Sequence, residues 1–226
     1  MAFHTIFLSS CSGVVSLKMN GAAGAVQGIT FAEDRGEIYI PLDEAERRLN
    51  LRISFPGHRQ PSRKLTDGTP LISLKELAEL TKKGVKIVRA ESGKDVKVSR
   101  LIRSFDIMVG AKYAEINLTE QRLRAWQGKR LILETRISSG RGRRGTPRGN
   151  FHAGPYKARM HYSTLYDNAP MPWSVQVSGN VFIHGFSSVP AYPASHGCIR
   201  VPLDGGNPAK FFHDWINVGT PISIHD

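Results

Sequence analysis

The chain has few cysteines, few acidic side chains and no long apolar segment. Its two cysteines, Cys11 and Cys198, are too few for a small disulfide-stapled scaffold. No apolar run reaches about 18 residues, so no membrane-spanning helix is predicted. Hydrophobic residues make up 40% of the 226 residues and charged residues 22%. These values are ordinary for a folded chain, and the length suits one large domain or two smaller ones.

Basic side chains outnumber acidic ones, with 31 Lys and Arg against 19 Asp and Glu, which gives a net charge of +12. The excess is densest between Lys129 and Arg159, where nine basic side chains are opposed only by Glu134. Such a surface attracts polyanions over long distances. We expect either a solvated basic face or an anionic polymer as a partner. Nucleic acid is not expected as a partner, because no DNA- or RNA-binding motif accompanies the charge.

Residues 1–13 resemble the end of a lipoprotein signal, in which the final cysteine becomes acylated. Lys and Arg are absent before Cys11, and the apolar stretch is short for a complete signal. Two interpretations stay open: a residual signal segment with a lipid anchor at Cys11, or a first strand with a buried thiol.

Residues 14–110 contain a degenerate repeat, since 40–45 matches 72–77 at an offset of 32, and 50–53 matches 84–87 at an offset of 34. Each unit predicts a short helix followed by a strand, with Pro41 and Ser73 at the helix starts. Strands are also predicted at 14–19 and 37–40, and the charged stretch 100–106 is interpreted as helix-like.

This first half resembles the small αβ-repeat domain at the N-terminus of copper amine oxidases. The resemblance implies a structural or wall-binding role. It does not extend to copper, because the segment offers only His58 as a ligand.

From a boundary at 110–112, residues 111–226 change to short β-runs, at 113–118, 122–126, 130–138, 175–177 and 181–183. Gly and Pro punctuate a loop from 140 to 149. A helix is predicted at 207–217, with Pro208 in its first turn. The pattern predicts a mainly β protein with α+β elements, in which a β-sandwich follows the small αβ-repeat domain.

One thiol and two histidines carry the chemical signal of the sequence. His184-Gly185 is followed, 14 positions after the histidine, by Cys198 in the run Ser195–Arg200. A neighbouring imidazole is the usual means of turning a thiol into a thiolate nucleophile. Two alternatives stay open: a buried cysteine is often an inert small hydrophobe, and His184, His196 and Cys198 could hold zinc, which would occupy the nucleophile.

Residues 112–226 resemble the L,D-transpeptidase (YkuD-type) catalytic domain over nearly their whole length. The matching segments occur in family order: Ile116–Leu118, Gln121–Leu123, Ser138–Gly140, Gly145–Phe151, Met171–Trp173, Ile183–Gly185 and Ser195–Arg200. The resemblance implies a β-sandwich enzyme that transfers an acyl group through a cysteine.

The resemblance also assigns roles. Cys198 would form a thioester, His184 would exchange the proton, and the main-chain carbonyl of Gly185 would orient the imidazole. Many relatives have serine where this chain has Gly185, but a main-chain oxygen survives that change. His196 and Gly197 would bracket the turn whose amides hold the oxyanion. Substrate contacts are expected from Ser195, Arg200, Met171, Trp173 and Tyr162, with Tyr166 as a further lid residue. Two alternatives stay open: Arg200 could brace the loop, and Met171 and Trp173 could pack in the core.

The implied function is peptidoglycan L,D-transpeptidation in the cell envelope, on the periplasmic or extracellular face of the wall. The acyl acceptor is left open: a stem-peptide amine would give a 3→3 crosslink, a protein lysine would give attachment of that protein, and water would give an L,D-carboxypeptidase. A catalytically silent wall-binding module is a further alternative. No metal or organic cofactor is needed, and a carbapenem is expected as a covalent inhibitor.

Overall fold

The computed structural model describes residues 24–226 except His58, Lys83, Ser92 and Lys94. The predictions for residues 1–13, for the strand at 14–19 and for Cys11 therefore lie outside the described residues. Within the part of the chain that is described, no helix is both long and apolar enough to cross a membrane.

The first half contains two small sheets and two short helices. Its elements are β1 Val26–Gly28, β2 Tyr39–Pro41, α1 Leu42–Leu49, β3 Arg63–Lys64, β4 Pro70–Ser73, α2 Leu74–Leu80, β5 Lys86–Arg89, β6 Asp95–Arg100 and β7 Arg103–Val109. The sheets have the strand orders β2-β4-β3 and β1-β7-β6-β5.

Both predicted repeat helices are confirmed, and their start residues explain them. Pro41 precedes α1, and Ser73 forms a capping box with Glu76 at the start of α2. The strand predicted in the second unit is β5, whereas residues 50–53 form no strand. There Asn50 ends α1 in the left-handed conformation, and the amide of Ile53 donates to the Glu46 carboxylate at 2.8 Å. That contact diverts the chain from a sheet.

The helix-like interpretation of 100–106 is wrong, because this stretch forms a β-hairpin. Strands β6 and β7 pair antiparallel, with Arg100 opposite Arg103 and a two-residue turn between them. Val96 and Val98 on β6, and Phe105 and Ile107 on β7, are all buried. This period of two is typical of a half-buried strand.

The second half is a two-sheet arrangement with one helix. Its elements are β8 Lys112–Asn117, β9 Arg122–Gln127, β10 Arg130–Arg136, β11 Gly149–His152, β12 Lys157–Ser163, β13 Ala169–Ser178, β14 Val181–Phe186, β15 Ile199–Pro202, α3 Pro208–Trp215 and β16 Pro221–His225. The sheets have the orders β10-β9-β8-β16-β11 and β12-β13-β14-β15. Only β8 with β16 and β14 with β15 run parallel. The mainly β fold class is thus confirmed.

One hydrophobic core joins the two halves. It combines residues of both second-half sheets with Phe212 and Trp215 of α3, and it includes Ile29 and Phe31 from the first half. A second core consists only of residues before position 110. The side chain of Gln127 also bonds to the amide of Thr30 at 3.1 Å. Residues on both sides of the boundary predicted at 110–112 therefore share one core.

Candidate active site

The parallel pair β14–β15 brings the predicted catalytic residues together. Its register places His184 opposite Arg200 and Ile183 opposite Ile199, and Cys198 directly precedes β15. Alternate residues of a strand share a face, as do residues paired across two strands. Cys198, His184 and Arg200 therefore lie on one face of the sheet, at its edge.

The imidazole of His184 is fixed by the main chain. Its side chain is buried, with 5% exposed, and Nδ1 lies 3.0 Å from the carbonyl oxygen of Gly185. A carbonyl only accepts, so we assign the proton to Nδ1, which leaves Nε2 able to take a proton from a thiol. This is the arrangement that the resemblance assigned to Gly185.

Glycine at 185 has a packing reason. A Cβ there would lie 2.4 Å from Cδ2 of Leu203 and 3.2 Å from Cβ of Ala209, so the position faces α3 and the loop before it. Neighbouring residues of a strand face opposite sides, which directs His184 away from α3. The absence of serine thus lets α3 approach the back of the catalytic strand and leaves the carbonyl in place.

Burial keeps both reacting groups neutral near pH 7. It lowers the pKa of His184 to about 4. The hydrogen bond to Gly185 opposes this shift, whereas the charges of Arg200 and His161 lower the pKa further. Burial also raises the pKa of the Cys198 thiol, opposed by a main-chain hydrogen bond from Phe182 and by the charge of Arg200. The Cys198 thiol lies 3.5 Å from the carbonyl oxygen of Asn180, to which it donates. These pKa shifts favour an un-ionised Cys198 thiol and a neutral His184 imidazole near pH 7.

The turn before Cys198 is held by a buried hydroxyl. Oγ of Ser195 donates to the carbonyl of Cys198 at 2.5 Å and accepts from the amide of Gly197 at 3.2 Å. Ser195 was predicted to contact substrate, but its hydroxyl is used inside the turn. The Gly197 amide is likewise occupied, so His196 and Cys198 supply the amides that remain candidates for the oxyanion. Gly197 has a φ of +118°, a conformation that favours glycine.

A second loop braces this turn from the other side. Oγ1 of Thr146 accepts from the amide of Gly140 at 2.9 Å and donates to the carbonyl of Gly197 at 2.8 Å. A Cβ on Gly140 would lie 2.2 Å from the carbonyl oxygen of Arg144 and 2.7 Å from Cα of Gly197. The two loops can approach this closely because position 140 is glycine.

A buried amide side chain extends the brace to β9. Gln121 accepts from the amide of Ser139 at 2.8 Å and donates to the hydroxyl of Ser139 at 2.8 Å. The adjacent Ser138 exchanges two main-chain hydrogen bonds with Arg200, both of 3.0 Å. Gln121, Ser139 and Thr146 lie in segments that match the family, but no role was predicted for them. Small polar residues beside glycine in matching segments were the available signal.

His196 lies on the surface beside the site. Its ring stacks on Tyr166 with the ring centroids 4.8 Å apart, and the Arg144 guanidinium lies 5.9 Å from the Tyr166 centroid. Partial desolvation and then the charges of Arg144 and its neighbours lower the pKa of His196. Of the two tyrosines predicted near the site, Tyr166 contacts the turn. Tyr162, 55% exposed on β12, forms no polar or ring contact with the site among the described residues.

Trp173 and Met171, predicted as substrate contacts or as core residues, have the contacts of core residues. The ring of Trp173 contacts α3, 5.5 Å from the His213 ring and 5.2 Å from Nζ of Lys210. That is the side of the sheet to which Gly185, not His184, is directed. Met171 is buried, and its carbonyl accepts from Ser174 at 2.7 Å. Both residues shape the core of the second half.

Arg200, a further predicted substrate contact, lies on the same sheet face as His184 and Cys198. Its guanidinium lies 4.1 Å from the centroid of the Phe186 ring and has no carboxylate partner among the described residues. Burial lowers its pKa, and the Cys198 sulfur opposes this. A half-buried guanidinium beside the reacting groups is well shaped to hold a carboxylate.

The zinc alternative finds no matching geometry. In residues 24–226 as described, the cluster with metal-compatible spacing consists of Glu33, His213 and Asp214, and it does not include the cysteine. Its carboxylates are ion-paired with Lys157 and Lys210. His184, His196 and Cys198 do not form such a cluster.

Comparison with known proteins gives one family and several similar structures. The YkuD model, described as the L,D-transpeptidase catalytic domain, matches residues 111–224. None of the curated proteins matches this chain. An L,D-transpeptidase from Stackebrandtia nassauensis is 19% identical, with 51% of this chain and 56% of that chain covered and a TM-score of 0.46. This chain therefore spans just over half the length of that protein.

Two further solved structures are similar. An L,D-transpeptidase from Xylanimonas cellulosilytica is 26% identical, covers 70% of this chain and 72% of its own, and has a TM-score of 0.44. An LD transpeptidase solved in complex with imipenem is 19% identical, with 91% and 96% covered and a TM-score of 0.46.

Proposed function

We propose, from the premise that this chain belongs to the YkuD family of L,D-transpeptidase catalytic domains, that Cys198 is the nucleophile of a peptidoglycan crosslinking reaction. The chain is an L,D-transpeptidase enzyme, and the proposal concerns its nucleophile, donor and acceptor. The observation that carries it is the shared face of Cys198 and His184, with Nδ1 of His184 held by Gly185 at 3.0 Å.

In the acylation step, the thiol of Cys198 attacks the carbonyl at the L-centre of the third residue of a tetrapeptide stem. Nε2 of His184 takes the thiol proton as the S–C bond forms, because neither group is ionised beforehand. The amides of His196 and Cys198 hold the oxyanion; loss of one such donor costs about 3 kcal/mol in comparable sites. His184 then gives the proton to the terminal D-Ala amine, and the C–N bond breaks.

In the second step, an amine of a neighbouring stem attacks the thioester, and His184 accepts the proton that this amine loses. The product is a 3→3 crosslink and a free thiol. A protein lysine as acceptor would attach that protein to the stem, and water would release a tripeptide. Proton transfer by a positioned imidazole contributes about 10²–10⁴-fold in such reactions.

Charge supports an anionic substrate and a location in the cell envelope. Arg200 has no carboxylate partner among the described residues, and it would hold a stem-peptide carboxylate beside Cys198 and His184. The basic stretch from Lys129 to Arg159 would face an anionic wall polymer. Because the substrate is wall peptide, the enzyme would work on the periplasmic or extracellular side.

Product analysis with disaccharide-tetrapeptides tests the proposal. We expect dimers with wild-type protein, none with Cys198→Ala, and undiminished dimers with Cys11→Ala as the matched cysteine control. Tripeptides without dimers would identify a carboxypeptidase instead. If neither product forms while sacculi retain the protein, the chain is a silent wall-binding module and the proposal is wrong.

A further inference from the structure

The tip of the β6–β7 hairpin exposes two aliphatic side chains completely. Leu101 is 89% exposed and Ile102 101% exposed. The next most exposed large apolar side chain among the described residues, Tyr192, reaches 65%. Single exposed apolar residues are ordinary on protein surfaces, but two adjacent ones at the end of a hairpin form a protruding apolar point.

Turn chemistry does not explain this pair. Two-residue hairpins favour Asn-Gly or Asp-Gly, because these residues accept positive φ. Here Leu101 has a φ of +53°, a conformation that is unfavourable for a branched side chain. The described residues leave both aliphatic side chains exposed, so burial within this part of the fold does not account for the pair.

Cations surround the apolar tip. Arg100 and Arg103 bracket the turn, and Lys86 of β5 lies opposite Ser99 at the same end of the sheet. The side chains of Lys86 and Arg103 form no ion pair or hydrogen bond with the described residues. Arg100 donates to the carbonyl of Leu49 at 3.3 Å, so its charge is not neutralised either.

The acidic residues of the hairpin lie toward its other end. Asp95 pairs with Met108 and Asp106 with Lys97, several residues from the turn. The tip therefore combines full apolar exposure with net positive charge.

We propose that this hairpin tip docks onto an anionic lipid bilayer. Leu101 and Ile102 would enter the boundary between headgroups and acyl chains, while Lys86 and Arg103 would bind headgroup phosphates. Apolar side chains next to cations are the chemistry of interfacial membrane binding. A dissolved anionic polymer would use the cations and leave the aliphatic pair in water. A second copy of this chain would bring another positively charged tip, which the first tip would repel. This inference does not depend on the proposed function.

Flotation of the full chain with phosphatidylcholine vesicles, with and without phosphatidylglycerol, tests the docking site. The double variant Leu101→Gly, Ile102→Asn removes the apolar pair and places glycine at the positive-φ position of the turn, so thermal stability should be retained or raised. We expect wild-type protein to float only with the anionic vesicles. The double variant should lose binding about tenfold or more, and Arg103→Gln about fivefold. Val218→Ser, at an exposed apolar position of the second half, should bind as wild type does.

Several results would overturn the proposal: no binding to anionic vesicles, equal binding by the double variant, or equal binding to uncharged vesicles. Tip-dependent binding to sacculi without vesicle binding would identify a wall polymer, and tip-dependent dimerisation would identify a second copy. Dimer formation from soluble tetrapeptides should be unchanged in the double variant. Failure of the docking proposal is therefore separable from failure of the proposed function.

Discussion

The two halves of the molecule use buried polar groups for different ends. In the described first half, the buried polar side chains are Ser73 and Glu76, and both cap helix α2. In the second half, buried Ser139, Thr146 and Ser195 hydrogen-bond around the Cys198 turn. Polar groups are costly to bury unless they are paired. The second half thus fixes a reactive geometry, whereas the first half fixes a helix end.

The hydrophobic core around α3, by contrast, contains residues of both halves. The Phe31 ring of the first half packs 5.5 Å from the Phe211 ring of α3, and the Arg63 guanidinium lies 4.1 Å from the Phe31 centroid. The first half therefore supports the fold of the second through its core. This difference leads us to expect that substitutions near Cys198 change the reaction and that substitutions in the core of the first half change stability and leave the reaction unchanged.

The largest effect in this comparison should come from His184→Gln. Loss of the proton acceptor should lower kcat about 10²–10⁴-fold, because the thiol stays protonated at rest. Dimer formation from tetrapeptides measures this, with His152→Gln, an exposed histidine on β11, as the control. Wild-type rates in His184→Gln would mean that another group activates Cys198.

The same imidazole should make stability depend on pH. Its pKa is about 4 in the fold against 6.5 ordinarily, so between these values the unfolded chain binds more protons. Stability contributed by neutral His184 is therefore present above pH 6.5 and lost as pH falls to about 4, by about 3 kcal/mol. Urea unfolding at both ends of this window should show a smaller acid loss in His184→Gln. Identical losses in both proteins would contradict the lowered pKa.

Thr146→Val should affect both stability and reaction. It removes the hydroxyl that joins Gly140 to Gly197, at a cost of about 1–3 kcal/mol, and we expect dimer formation to fall as the turn loosens. Denaturant titration and product assays measure the two effects. The matched variant Thr135→Val, on β10, should lower stability without lowering the rate in folded protein. A normal rate in folded Thr146→Val would show that this brace is dispensable.

The smallest effect is expected from Ser73→Ala, which breaks the capping box of α2. It should lower the free energy of unfolding by about 1 kcal/mol and leave the rate with soluble tetrapeptides unchanged. Thermal unfolding and product formation can be read on the same preparation. A parallel loss of activity would mean that the first half contributes to the site beyond its packing.

Local signals predicted much of this fold. Pro41, Ser73 and Pro208 mark helix starts through constraints that act within one turn, and the three helices follow them. The hairpin at 95–109 was missed because Arg100 and Arg103 flank its turn and obscure the alternation of the buried residues. Strand β12 was missed because only one of its seven residues, Ser163, is buried, so the sequence carries no apolar period there.

The candidate site, like the fold, contains residues whose roles were predicted and others whose roles were not. Cys198 and His184 were predicted because a reactive thiol needs an imidazole, and the resemblance to the YkuD-type domain implied that the carbonyl of Gly185 orients that imidazole. The direction in which Ser195 and Trp173 face depends on contacts with distant segments, and residue type does not fix that direction. The braces from Gln121 and Thr146 likewise form only when three separate loops meet.

Intact-mass measurement after incubation with imipenem tests the central claim most directly. If His184 activates Cys198, the thiol opens the β-lactam ring, and each chain gains the mass of one drug molecule on the peptide that contains Cys198. Cys198→Ala should stay unmodified, and His184→Gln should react more slowly. An unmodified wild-type chain, or an adduct on another residue, would contradict the account.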